Sequence, residues 1–137
     1  MGQHSYNNGL HTSSKGITVD AVRVTGLNGA DAALATIAED CKSGLVASVT
    51  ITAAGTYTFQ LSKPYPPKLV ICQPQLSQAT NTTDILTASY DSASYDATLG
   101  TFVVNVSNDD DSGAPTAVKG GATDELHVLM MFNRYSR

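Results

Sequence analysis

The stretch from Leu45 to Leu76, LVASVTITAAGTYTFQLSKPYPPKLVICQPQL, sets the fold class, because much of its hydrophobicity repeats every second residue. A period of two puts alternate side chains on opposite faces of an extended strand, whereas a helix repeats near 3.6. Leu45, Ala47, Val49 and Ile51 alternate with Val46, Ser48, Thr50 and Thr52, which predicts a strand whose drier face carries the first set. Ala53-Ala54-Gly55 breaks the pattern, and glycine supplies the positive φ of a tight turn. Alternation resumes with Tyr57, Phe59 and Leu61 against Thr56, Thr58, Gln60 and Ser62, so a β-hairpin is expected. Pro64, Pro66 and Pro67 end its second strand, since proline donates no ladder hydrogen bond. The run Leu69-Val70-Ile71-Cys72 follows, and the three segments together predict a meander.

The rest of the chain fits around this nucleus. Residues 1–16 are polar, contain little to bury, and read as an N-terminal arm. Residues 17–137 read as a single β domain. In Ile17–Val24, the set Ile17, Val19 and Ala21 faces away from Thr18, Asp20, Val22 and Val24, giving a first strand closed by a turn at Gly26–Gly29. Residues 30–41 are ambiguous: Leu34, Ile37, Ala38 and Cys41 form a helical stripe, and a strand-and-loop passage is the alternative. Ile85–Tyr95 and Thr101–Val106 predict a second hairpin, with Phe102, Val104 and Val106 on one face. Ser107–Thr123 reads as a long Gly- and Asp-rich solvated loop. In Glu125–Asn133, Leu126, Val128, Met130 and Phe132 make one apolar face and Leu129 and Met131 make the other apolar too. Such a strand is either central in a sandwich or covered by another subunit. The expectation is therefore an all-β, antiparallel sandwich or barrel-like domain of about seven strands.

Charge and chemistry narrow the function. The net charge is −4 and only 15% of residues are charged, with no cluster of Lys and Arg. A nucleic-acid footprint is thus missing from the sequence. No apolar run reaches the roughly 20 residues of a membrane span, and no basic segment leads into an apolar one at the N-terminus. A soluble protein made in the cytoplasm, with no membrane and no nucleic-acid partner, is expected. Cys41 and Cys72 read as two reduced thiols; a disulfide within or between subunits is the alternative.

Neither GxSxG, a P-loop nor HExxH is present. His4, His11 and His127 are too scattered for a triad unless the arm folds inward. An EF-hand alignment starting at Asn108 puts Lys119 where a bidentate Glu is required. No catalytic residue, metal or cofactor is therefore assigned, and a non-enzyme is expected.

A likeness enters at the central hairpin. Ile51-Thr52-Ala53-Ala54-Gly55-Thr56-Tyr57-Thr58-Phe59-Gln60-Leu61, followed by Lys63-Pro64-Tyr65-Pro66 and Lys68-Leu69, resembles small virion proteins of tailed bacteriophages. There a T-x-x-G-x-Y-T-x-x-L hairpin leads to a Y-P-x-x-L corner. Asp124-Glu125-Leu126-His127-Val128, running to Phe132-Asn133-Arg134, is similar to the last strand of that family, and the likeness spans roughly residues 17–134. The acidic loop and the two cysteines lie outside this pattern. The resemblance implies a virion structural protein, a capsid decoration (cement) protein above all, that binds the major capsid protein or another virion protein and forms a homo-oligomer, with a trimer the expected form. Tyr6, Leu10 and His11 of the arm are candidate contacts with the head, and Leu129 and Met131 with a second copy. The alternative is a tail-fibre or receptor-binding module that engages saccharide through Tyr90 and Tyr95. A small hydrolase, built on a pocket joining His127 to a carboxylate and a hydroxyl, is the third reading.

Overall fold

The computed structural model describes residues 10–11, 17–39, 44–62, 68–79, 85–108 and 115–133. Its strands are β1 (Leu10–His11), β2 (Ile17–Thr25), β3 (Leu34–Ile37), β4 (Val46–Ala53), β5 (Thr56–Leu61), β6 (Lys68–Ser77), β7 (Leu86–Asp96), β8 (Thr101–Asn108), β9 (Thr116–Ala117) and β10 (Glu125–Asn133). There is no α-helix among the described residues. The main path runs β6-β10-β2-β3-β4-β5-β8-β7, with β1 attached to β2 and β9 to β8. Every pairing is antiparallel. The sheet curls so that its two ends, β6 and β7, come side by side, and the result is an antiparallel barrel that is nearly closed.

Period two holds where the sequence shows it. In β5 and β8, Tyr57, Phe59, Phe102, Val104 and Val106 are fully buried, and Leu61 nearly so. In β10 the set Leu126, Val128, Met130 and Phe132 points into the core. Each such side chain gains roughly 1.5–3 kcal/mol by leaving water. The rings of Phe59 and Phe102 stack with centroids 4.9 Å apart, and Tyr90 meets Phe102 edge-on at 6.0 Å. Gly55 takes φ +77° at the β4–β5 turn, and a Cβ there would collide with the Val106 carbonyl oxygen and the Val118 backbone. In β2 the inner set is Thr18, Asp20, Val22 and Val24, so a hydroxyl and a carboxylate are also buried.

The structure settles the ambiguous Ala-rich passage and corrects the sequence reading at four other points. The Ala-rich passage is strand: in β3, Ala35 and Ile37 are buried and Leu34 and Thr36 exposed. It turns a corner, pairing with β4 through Leu34 and Ala35 and with β2 through Thr36 and Ile37. Cys41 lies outside the described residues.

The central meander is not formed. β5 pairs with β8, bringing Phe59 opposite Phe102, and β6 crosses to the far end of the path to pair with β10. Stacked aromatic rings hold the free edge of β5, so β6 is displaced from it. Pro64, Pro66 and Pro67 lie outside the described residues.

Ala47 does not share the inner face of β4. The register slips between Val46 and Ser48, so Val46 is buried and Ala47 exposed. A bulge of this kind inserts one residue and reverses the facing.

β6 also runs further than its apolar run, to Ser77 and through Pro74. A proline is tolerated there because β6 is the last strand of the path. Finally, the loop after β8 contains β9, which pairs with the end of β8.

Loops at one end of the barrel are tied together by a buried hydroxyl. Tyr57 Oη donates to the Leu27 carbonyl at 2.8 Å and accepts from the Gly120 N–H at 3.0 Å. Close by, Lys119 Nζ reaches the Gly29 carbonyl at 2.8 Å and Asp31 Oδ1 at 2.9 Å. Asp124 caps its own turn, its Oδ2 accepting from Gly121 N–H at 2.7 Å while Oδ1 accepts from Ala79 N–H at 3.1 Å.

Candidate interaction face

β10 lies between β2 and β6, both of which pair along its length. Its odd-numbered side chains therefore point outward in the middle of a three-stranded surface. The register sorts that surface into rows across the strands. Arg23, His127 and Gln75 share one row; Ala21, Leu129 and Gln73 the next; Val19, Met131 and Ile71 the third. Polarity falls along the face, from charged and amide groups at one end to aliphatic groups at the other. Leu129 is 44% exposed and Ile71 42%. Large aliphatic groups on a water-facing sheet surface mark a contact region when they adjoin one another.

The polar end holds a small charge cluster. Glu125 Oε2 lies 3.2 Å from His127 Nε2 and 3.9 Å from Arg23 Nε. All three side chains are partly exposed, so solvent screens the pairs and each contributes little to stability. Between this cluster and Leu129 the surface dips into an open depression of about 610 Å³, lined by Ala21, Arg23, Gln73, Gln75, His127 and Leu129 over the backbone of the three strands.

Of the residues expected to make contacts, Leu129 and Met131 stand on this face in adjacent rows. Leu10 and His11 form β1 and pair with Val19 and Thr18, at the aliphatic end of β2. Tyr6 lies outside the described residues. Ile71, Ala21 and Gln73 were not foreseen. Their neighbourhood depends on which strands flank β10, and no local pattern announces that.

Tyr90 and Tyr95 are not exposed platforms. Both are half-buried and pack against the core. Burial raises the pKa of each phenol above its ordinary value, with smaller increments from Cys72, Tyr95 and Asp91 at Tyr90, and from Asp96 at Tyr95, where a backbone hydrogen bond from Leu69 works the other way.

His127 and Glu125 supply an imidazole and a carboxylate in contact, but no hydroxyl lines the depression beside them. The nearby thiol belongs to Cys72, which is free and half-buried. In β6 it alternates with the outward Ile71 and Gln73, and burial pushes its pKa from 9.0 up to about 12. A thiol in that state holds its proton and is a poor nucleophile. The face is equipped for reversible contact: aliphatic area at one end, hydrogen-bonding groups of both charges at the other. Among the described residues, no group of three or more His, Cys, Asp or Glu side chains could hold a metal ion. No known protein family, curated protein or solved structure matches the chain.

Proposed function

We propose that this chain is a structural protein of a tailed-phage virion, in the role of a capsid decoration protein that docks on the head through the outer face of β2, β10 and β6. The observation that carries this reading is the exposure of Leu129 and Ile71, with Met131 beside them, on the outside of the central strand of a paired sheet. An isolated domain gains nothing from aliphatic groups in that position, whereas a docked one buries them. The partner is the major capsid protein or another virion protein. Symmetric copies add avidity, so each contact can be weak while the coat is firmly held. The resemblance of the central hairpin to small virion proteins supports the same class, and the half-buried state of Tyr90 and Tyr95 removes the stacking surface on which the saccharide-binding alternative relied.

The test is loading onto empty heads of the phage that encodes the chain. Leu129→Asp and Met131→Asp each leave the circular dichroism spectrum and thermal midpoint close to wild type and reduce occupancy at least tenfold. Undiminished loading of both variants overturns the assignment of this face. Deletion of residues 1–14 asks separately whether the arm contributes, and native mass spectrometry reports whether the isolated chain is a trimer. Specific hits on a glycan array, with no loading, would move the protein to the tail.

A further inference from the structure

The barrel is closed along every strand pair except one. β6 and β7 lie against each other, yet among the described residues they share no ladder pairing and stand at the two ends of the path. Side chains bridge them instead. At one end the Leu86 N–H donates to Gln78 Oε1 at 3.0 Å; at the other the Leu69 backbone hydrogen-bonds to the Tyr95 hydroxyl. Between these two clasps, Pro74 gives β6 an edge that lacks one N–H. β7 departs from its own ladder between Asp91 and Asp96, where Ser94 Oγ takes the Val103 N–H at 2.7 Å in place of a backbone carbonyl.

Burial marks the same line. The hydrophobic groups that pack on the core without being fully enclosed are Cys72 and Leu76 of β6 and Leu86, Ala88, Tyr90 and Tyr95 of β7. Among the described side chains, the buried core takes Leu69 from β6 and none from β7. Among the described residues, these partly enclosed groups line the seam between β6 and β7, where no ladder pairing joins the wall.

We propose that this seam is a built-in opening: β6 and β7 part along it as one sub-global motion while the remaining ladders stay formed. Cooperative units of this kind open at a lower free energy than the whole domain, and a wall joined by side-chain clasps, with no ladder pairing among the described residues, is suited to be one. Opening presents the edges of β6 and β7 together with the apolar strip of Leu76, Leu86 and Ala88. It also frees Cys72, whose side chain is otherwise half-buried against the core.

Cys72 is therefore the reporter. In a Cys41→Ser background, the folded full-length chain is exposed to a thiol reagent across a range of low urea concentrations. The expected labelling is at least tenfold slower than for a free cysteine, rises with urea but less steeply than global unfolding does, and is faster than global unfolding. Tyr95→Phe and Gln78→Ala each remove one clasp and accelerate it roughly fivefold. Lys119→Ala, which cuts contacts at a distant pair of loops, leaves it unchanged. Labelling that matches a free thiol shows that no opening is needed. Labelling that tracks global unfolding, or that ignores both clasp variants, shows that the seam does not open alone. Any of these results overturns the proposal.

Discussion

Tyr57→Phe isolates a bond that holds one end of the barrel. The hydroxyl links the Leu27 carbonyl at 2.8 Å to the Gly120 N–H at 3.0 Å, and Leu27, Tyr57 and Gly120 are all buried. Removing one oxygen leaves two backbone groups without this partner, at a site that bulk water does not reach. Each unsatisfied group costs about 1–3 kcal/mol, and the absent hydroxyl no longer has to be desolvated, which returns about 1 kcal/mol. The net loss is about 1–5 kcal/mol, centred near 3, a large part of the 5–15 kcal/mol typical of a domain. For a chain of this length, the thermal midpoint falls by about 10 °C. Urea unfolding followed by circular dichroism measures the change directly, with the slope of the transition unaltered. Thr58→Val is the control. Its hydroxyl is on the outer face, 3.5 Å from that of Thr52, and its loss stays within about 0.5 kcal/mol. A Tyr57→Phe loss below about 0.5 kcal/mol would refute the argument, since the two backbone groups would then have found other partners at no cost.

Gly55→Ala adds a Cβ at φ +77° that meets the Val106 and Val118 backbone; neither neighbour is a flexible side chain, so a loss above about 2 kcal/mol is expected in urea unfolding. Ala32→Gly runs the other way. Ala32 sits at φ 67°, and relief of left-handed strain outweighs the added chain entropy by about 0.5 kcal/mol. Stability also depends on pH on the alkaline side. Cys72 is raised from 9.0 to about 12 and Tyr57 is raised above 10.0, in both cases chiefly by burial. The unfolded chain loses these protons first, so stability is full below pH 9 and falls as pH rises toward 12. Cys72→Ala removes the part of that fall that begins near pH 9; a midpoint unchanged between pH 8.5 and 10.5 in the wild type contradicts the thiol's burial.

Much of this barrel is legible in the sequence, for one physical reason. A strand with one wet and one dry face writes its own period, and β4–β5, β7–β8 and β10 all do so. What fails to show is what depends on partners distant in the chain. The pairing of β5 with β8 is decided by Phe59 meeting Phe102, and nothing beside Phe59 in sequence records it. β3 is too short to display a period, so its alanines mimic a helix. One bulge at Ala47 reverses a face without altering the composition. The candidate contact face divides in the same way. Leu129 and Met131 are conspicuous because β10 is apolar on both sides. Ile71, Ala21 and Gln73 join them only through the order β6-β10-β2.

That order also bears on how such a protein can associate at all. Sheets commonly add neighbours at their edges, where unpaired backbone groups template a new strand. Here the two terminal strands turn toward each other, and Pro74 removes a donor from one of them. Edge addition is suppressed while the seam is shut, so contact in that state falls to the faces. The face across β4, β5 and β8 is polar and largely uncharged, carrying Thr50, Thr58, Gln60, Thr101 and Asn105. The face across β2, β10 and β6 carries the adjoining aliphatic groups and the Arg23, Glu125 and His127 cluster. The second combines adjoining aliphatic area, whose burial releases water, with charges that can fix orientation. The near-closure of the barrel and the apolar outer side of β10 are therefore linked: a sheet that hides its edges must recognise its neighbours through a face.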